Sequence, residues 1–437
     1  MKVGTVFSKD LFRRLDVKYH FSDHIELDDY KTIGELKDIV VRDPSCYGFR
    51  YVESGIPILR ISDLNIPFLD YTNVAYISEN THSTYKKTHL EKYDILMSVR
   101  GVSIGKIGIY MGEYPKANIS PNIIIIRLKD KTYARYVAMF LASNLGQSQI
   151  KRSEGGSSKP TINASFINEI QIPTPTDEVL VQINKLFDEA YAKRNSADSI
   201  IKKIEHTFNE QFKHPKEDKA ITYKVNNLTL FSRWDPHYHN PKYQKLRLAV
   251  DGLKNTKKLK ELAIRCEETI PKNYEEKLGY VEISHVDNIT AQITDMKYNY
   301  LKSLPTGGKI ILKDKDILIS KVRPYRGSIT IFKDHNKYLV TASKNAFSVY
   351  RTDDFMYPYY LTAFIRYRIG LDQIVMQQSG TSYPTVNDDE IGDIKIPILD
   401  EPTMKIVDDL FKDYMSTREL EESNLKSIHE IFETTFG

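Results

Sequence analysis

Along residues 177–212, apolar side chains recur at Val179, Ile183, Leu186, Ala190, Ala197, Ile200, Ile204, Phe208 and Phe212, mostly three or four positions apart. That spacing marks the seam of a coiled-coil helix. Thr176 stands where an N-cap belongs, and Asp177 and Glu178 suit the positive end of the first turn. Ile172-Pro173-Thr174-Pro175 precedes them as a rigid, extended lead-in. A second pattern of this kind runs through Val407, Leu410, Tyr414, Leu425, Ile428, Phe432 and Phe436, interrupted by Glu421 and Asn424. Polar residues at seam positions commonly fix register and partner rather than add stability. A helix over 177–212 would be about 54 Å long, more than one compact part of ~150 residues needs to bury a single stripe. The two helices are expected to pack antiparallel on each other; the alternative is that each packs only on its own globular part.

Ahead of each long helix the pattern changes to short β-branched runs bounded by turn residues, at 56–61, 94–99 and 123–128 in the first case. A helical stretch at 133–145 and a Gly-Ser-rich loop at 155–158 follow. The whole arrangement then repeats. Arg14-Leu15-Asp16-Val17-Lys18-Tyr19-His20 is echoed by Arg233-Trp234-Asp235-Pro236-His237-Tyr238-His239, and Ile33-Gly34-Glu35-Leu36 by Leu259-Lys260-Glu261-Leu262. Asp94-Ile95-Leu96-Met97-Ser98 matches Asp316-Ile317-Leu318-Ile319-Ser320. Gly156-Ser157-Ser158-Lys159-Pro160-Thr161-Ile162-Asn163 matches Gly380-Thr381-Ser382-Tyr383-Pro384-Thr385-Val386-Asn387, and Ile170-Gln171-Ile172-Pro173 matches Ile394-Lys395-Ile396-Pro397. The expected fold is α+β: two tandem pseudo-symmetric halves, each a β-rich mixed part followed by a long helix. The boundaries are 1–175, 176–214, 215–399 and 400–437.

Composition narrows the class. Hydrophobic residues make up 41% and charged residues 27%, the balance of a globular protein with substantial cores. The longest aliphatic run, Ile123 to Ile126, is far short of the ~20 residues that span a bilayer, and the first residues lack a signal-peptide core, so a cytoplasmic protein without membrane contact is expected. Cys46 and Cys266 share no paired spacing, which argues against disulfide frameworks and cysteine zinc sites. A net charge of +4 says little by itself, but its distribution says more. Residues 215–375 hold 28 Lys and Arg against 18 Asp and Glu, while residues 400–437 hold 4 against 10. One segment suits phosphate, the other solvent or a protein partner. The 29 tyrosines serve equally in stacking and in β-rich cores.

With these motifs in order, the chain resembles Type I restriction–modification specificity subunits over essentially its whole length. The resemblance rests on the duplicated Arg-Leu/Trp-Asp-x-x-Tyr-His opening, on Gly55-Ile56-Pro57-Ile58-Leu59-Arg60-Ile61-Ser62-Asp63-Leu64, on the Asp-Ile-Leu-(Met/Ile)-Ser strand, on the Gly-(Ser/Thr)-Ser-x-Pro-Thr-(Ile/Val)-Asn loop, and on the closing helices. It implies two target recognition domains reading the halves of a split, asymmetric site in double-stranded DNA, on spacer helices that dock two adenine methyltransferase subunits and a motor/nuclease restriction subunit. It implies no catalysis and no cofactor in this chain; S-adenosylmethionine, ATP and magnesium would belong to the partners.

The candidates for DNA contact are basic and hydroxyl residues in or beside expected loops. They are Arg60, Lys86, Lys87, Arg100, Lys106, Ser157, Ser158 and Lys159 in the first half, and Lys321, Arg323, Arg326, Lys344, Thr381, Ser382 and Tyr383 in the second. Lys and Arg neutralise phosphates, Arg can bind guanine through two bonds, and hydroxyls bind phosphate oxygens. The Gly-Ser-Ser-x-Pro-Thr segments also suit a turn and helix start, with Thr161 or Asn163 as cap. Arg14, Asp16, Tyr19, Arg233, Asp235 and Tyr238 read as structural, because they repeat where specificity should differ.

Several motifs resemble catalytic ones without completing them. The segment 101–107 has one residue too few for a phosphate loop, with Ile107 where a magnesium-binding hydroxyl belongs. Asn240-Pro241-Lys242-Tyr243 lacks the second Pro of an adenine methyltransferase motif and reads as a turn. His20, His237 and His239 lie near Asp16 and Asp235, where a capped turn and a metal site are both conceivable. Two other classes stay open at this point: a specificity-subunit-like adaptor of another phage-defence complex, and a self-contained nuclease or methyltransferase with duplicated recognition domains.

Overall fold

A computed structural model describes residues 27–41, 50–101, 103–152, 161–162, 164–212, 224, 233–253, 255–294, 296–334, 337–353 and 356–436. The first opening motif, 14–20, lies outside them. The chain divides into two compact units, Met1–Ala192 with Glu421–Gly437, and Lys193–Leu420. The long helices, Asp177–Gln211 and Glu401–Phe436, are therefore not units of their own, since each contributes one part to each unit.

Unit 1 is built on a four-stranded antiparallel sheet ordered Lys37–Val41, Ile123–Leu128, Ile95–Ser98, Ile107–Ile109. Its two inner strands are apolar on both faces because both faces are covered. Ile95, Met97, Ile124 and Ile126 pack with the helix Ala134–Ala142. Leu96, Ile123 and Ile125 pack on the other side with Leu59, Leu64 and Ile119. This explains the run of four isoleucines. A second sheet joins Ile56–Leu59 antiparallel to Ala75–Ile77 and parallel to Asn118–Ile119. A two-stranded ribbon, Tyr30–Thr32 on Gln171–Pro173, closes the unit ahead of the long helix.

Unit 2 repeats the plan. Its main sheet is Ala263–Arg265, Phe347–Thr352, Ile317–Ser320, Ile329–Ile331, and its ribbon is Thr256–Lys258 on Lys395–Pro397. The second sheet keeps the parallel pair, Lys277–Val281 beside Val340–Ser343, and the antiparallel edge strand, here Lys297–Tyr300, and adds one strand, Lys309–Ile311. Polar details repeat too. Tyr136 donates to the Pro173 carbonyl at 2.9 Å and Tyr360 to the Pro397 carbonyl at 2.7 Å. Gln149 bonds both backbone groups of Gln171, as Gln373 bonds those of Lys395.

In unit 1 the early part of the first long helix (Ile183, Phe187, Ala190) shares a core with the late part of the second (Ile428, Phe432). In unit 2 Ala197, Ile200, Ile204 and Phe208 share one with Met404, Val407, Phe411, Tyr414 and Met415. Early with late and late with early is the antiparallel pairing of the two helices. The stripe differs from the expected seam in two places. Phe187 and Phe411 are fully buried, whereas Leu186 and Leu410 are half-buried at its edge. From Ile183 and Val407 the inward step is four residues rather than three, which favours the larger ring at each point. Leu425 is also half-buried beside the unit 1 core. Arg194 occupies the inward position between Ala190 and Ala197 and is only 8% exposed. Among the described residues no helix is long and apolar enough to cross a membrane.

Candidate nucleic-acid interface

In unit 2 the strand Ile317–Ser320 runs into a loop whose shape is set by its backbone. Ser320 Oγ donates to the Val322 carbonyl at 2.9 Å, and Ser320 N donates to the Ser328 carbonyl at 3.0 Å. Arg323 (φ +47°) and Gly327 (φ +68°) both lie in the left-handed region, flanking a single turn at Pro324–Arg326. A second loop packs against the first. Ser379 and Thr385 exchange backbone bonds of 2.8 and 2.9 Å, closing a tight loop through Gly380 and Pro384. Val386 N donates to the Lys321 carbonyl at 2.9 Å, and Arg323 N to the Pro384 carbonyl at 2.8 Å.

These ties bring most second-half candidates together. Lys321, Arg323 and Arg326 share the first loop; Thr381, Ser382 and Tyr383 are exposed on the second. The turn carrying exposed Lys344 joins them, because Lys321 N donates to the Ala346 carbonyl at 2.8 Å. The cations differ in what they have left to offer. Lys321 is paired with Asp388 at 3.1 Å and largely buried. Arg323 lies with its guanidinium carbon 5.5 Å from the Tyr383 ring centre, and among the described residues no acceptor binds that guanidinium. A cation over a ring is both attracted and oriented. The loop is braced from behind by Arg366, which donates to the carbonyls of Asn288 and Ile289 at 2.9 Å and of Ile329 at 2.6 Å. Burial lowers the pKa of Arg366 from its usual value, though an arginine starts so far above neutrality that it stays charged.

Unit 1 has a counterpart loop with other side chains. Its left-handed positions are Gly101 (φ +86°) and Gly105 (φ +82°), the counterparts of Arg323 and Gly327. Arg100 bridges Thr161 as Val322 bridges Thr385. The glycine accepts this backbone freely, whereas an arginine there costs about 1–2 kcal/mol. Arg100 is exposed and Lys106 half-buried on this loop, while Ser157, Ser158 and Lys159 lie outside the described residues. Lys86 and Lys87 are exposed on a separate short turn, Lys86–Thr88. Arg60 is held at home, with Nε and Nη2 on Asp63 at 3.2 and 3.1 Å and Nη2 on the Asn73 carbonyl at 2.5 Å.

The repeated opening motif is structural where it is described. Arg233 Nε bonds Asp235 at 2.7 Å, its terminal nitrogens bond the carbonyls of Gln377 and Gln378 at 2.7 and 2.9 Å, and its plane covers Tyr238. The motif thus latches the chain to the start of the Gly380 loop. His237 and His239 each bond a carbonyl, of Val375 and Arg233 respectively. Asn240 caps the helix Pro241–Asp251 by accepting from Lys242 N at 2.9 Å, so the Asn-Pro-Lys-Tyr segment is a helix start.

Three exposed aromatic features were not among the expected contacts. Trp234 is 81% exposed beside the Arg233 latch, and Tyr325 is 52% exposed between Arg323 and Arg326. The strand Lys297–Tyr300 is exposed throughout; Lys277 covers Tyr300 and Tyr298 meets Tyr338. The alternation Lys-Tyr-Asn-Tyr was a legible signal, since interleaved cations and rings suit a polyanion with stacking bases.

Residues 31–206 match the family described as Type I restriction modification DNA specificity domain. The chain is 27% identical over 218 residues to the Type I restriction enzyme EcoBI specificity subunit of Escherichia coli, covering 47% of this chain and 42% of that protein. It is 26% identical over 163 residues to the putative type I restriction enzyme MjaX specificity subunit of Methanocaldococcus jannaschii, covering 36% and 38%. It thus spans about two fifths of the length of the curated relatives it matches. A crystal structure of a Type-I restriction-modification system S subunit from M. genitalium is similar at a TM-score of 0.45 and 14% identity, over 95% of this chain and 96% of that one. Over residues 31–206, the chain is thus similar to the Type I restriction modification DNA specificity domain family.

Proposed function

We propose that this chain is the sequence-reading subunit of a Type I restriction–modification complex. It binds a split, asymmetric site in double-stranded DNA, one half-site per unit, and catalyses nothing itself. Its long helices dock two adenine methyltransferase subunits, and a motor/nuclease subunit joins them, all acting in the cytoplasm. The observation that supports this best is the pair of matching loops, 99–105 and 321–327. They share both left-handed positions and a bridge to Thr161 or Thr385, yet carry different side chains. Two readers of different half-sites need that combination, a common frame with distinct contacts. The motifs nearest to catalytic ones have structural partners instead, since Asn240 caps a helix and His237 and His239 bond carbonyls.

The test is single-molecule methylome sequencing of cells that express this chain with the methyltransferase, against cells expressing the methyltransferase alone. The expected result is N6-methyladenine at one bipartite motif that vanishes without this chain. Exchanging residues 1–150 for another such segment should change one half of the motif only. An active methyltransferase with unchanged methylation in both strains would overturn the reading.

A further inference from the structure

We infer that Arg323 is a specificity-determining residue of unit 2, its guanidinium reading a guanine edge, with Tyr383 as the positioning residue beneath it. This rests on the DNA-reading role proposed above. The argument starts from the repeat. At one and the same left-handed backbone position, unit 1 carries Gly101 and unit 2 carries Arg323. Glycine is the residue such a position favours, so folding alone would keep it. A side chain retained against backbone preference points to use, and strained residues concentrate at functional sites.

The surroundings indicate what that use is. The backbone of Arg323 is fixed through its bond to the Pro384 carbonyl and by Pro324 after it. Its guanidinium meets a ring face and, among the described residues, no carboxylate or carbonyl. Among the described residues its five N–H donors therefore meet no acceptor, in a plane oriented by a tyrosine. Neighbouring cations differ, with Lys321 tied to Asp388 and Arg60 in unit 1 tied to Asp63. A phosphate can be met by any mobile cation, but a fixed planar fork matches the paired O6 and N7 acceptors of guanine. Unlike the motif residues that recur in both units, this position differs between them, as a position that distinguishes two half-sites must.

The experiment uses the full chain expressed with its methyltransferase, comparing wild type with Arg323→Gly, Arg323→Lys and Tyr383→Ala by methylome sequencing and by thermal melting of the purified complex. Arg323→Gly should melt at the wild-type temperature or above it. It should also lose discrimination at one guanine of one half-site by about ten- to a hundredfold, leaving the other half-site unchanged. Arg323→Lys should not restore that guanine, and Tyr383→Ala should weaken discrimination at the same position. An unchanged motif in Arg323→Gly, full restoration by lysine, or a large drop in melting temperature for Arg323→Gly would each overturn the inference. Failure of the wild type to direct any bipartite motif is a distinct result, and would remove the functional reading together with this inference.

Discussion

Arg351 closes on Asp316 through two parallel bonds, Nε to Oδ1 and Nη2 to Oδ2, each 2.7 Å long, while Asp316 is fully buried. Unit 1 has the same pair, Arg127 on Asp94, again with two bonds of 2.7 Å. Each joins the two inner strands of the main sheet at the end opposite the candidate loop. Arg351→Met leaves a buried carboxylate without its partner and should destabilise unit 2 by about 3–5 kcal/mol. Adding Asp316→Leu should recover much of that loss. The shift of the denaturation midpoint of the full chain measures both. A loss below about 1 kcal/mol for the single variant would show the pair to be dispensable.

Gly146 and Gly370 stand at the same point of the repeat, just inside the second of two consecutive helices. A methyl group at either would come within 2.1 Å of a carbonyl oxygen, that of Phe140 or Phe364. Those are backbone atoms and cannot swing aside. Gly370→Ala should cost roughly 1–3 kcal/mol, seen as a lower thermal midpoint, although alanine is ordinarily the better helix former. A stabilised variant would contradict this close packing.

Phe187 and Phe411, rather than Leu186 and Leu410, fill the cores at the long helices. Phe411→Ala should lower stability by about 3–5 kcal/mol, and Leu410→Ala by clearly less. Parallel melts of the two variants decide the matter, and equal losses would return Leu410 to the seam.

Asp408 accepts from Tyr360 N at 2.9 Å, capping the helix Pro358–Arg366 from the neighbouring long helix. Burial raises its pKa above the usual carboxylate value. The folded state therefore holds the proton more tightly than the unfolded chain. The resulting stabilisation is full below the unfolded pKa of about 3.9 and is lost as pH rises through the folded pKa. Asp408→Asn keeps the acceptor and removes the charge. Its melting temperature should match wild type in acid and exceed it increasingly up to neutral pH. A difference that does not change with pH would contradict the assignment.

Much of this fold could be read from residue order because it is stated twice. The strands Ile95–Ser98 and Ile123–Leu128 and the helix Asp177–Gln211 stand where periodicity put them. Periodicity could not choose between Leu186 and Phe187, because adjacent apolar residues both fit a stripe more than 100° wide. Nor could it show that each long helix serves two cores. The candidate interface was legible as loops and charges, but the state of each charge was not. Arg60 and Lys321 read like Arg323 on paper, and only the positions of Asp63 and Asp388 separate them. Nothing in a sequence marks Arg323 as left-handed until Gly101 is laid against it.

The division of the long helices also orders events during synthesis. The core of unit 1 contains Ile428 and Phe432, with the Phe432 ring 5.3 Å from Tyr136 and 5.6 Å from Phe140. Those two rings leave the ribosome long before Phe432 exists. At ordinary translation rates the interval between Ala192 and Ile428 is roughly ten to fifty seconds. Throughout it, a nascent chain holding nearly all of unit 1 lacks the piece that covers Tyr136. Unit 2, which draws its two helix segments from Lys193–Leu420, can finish first. The half that is begun first is therefore completed last.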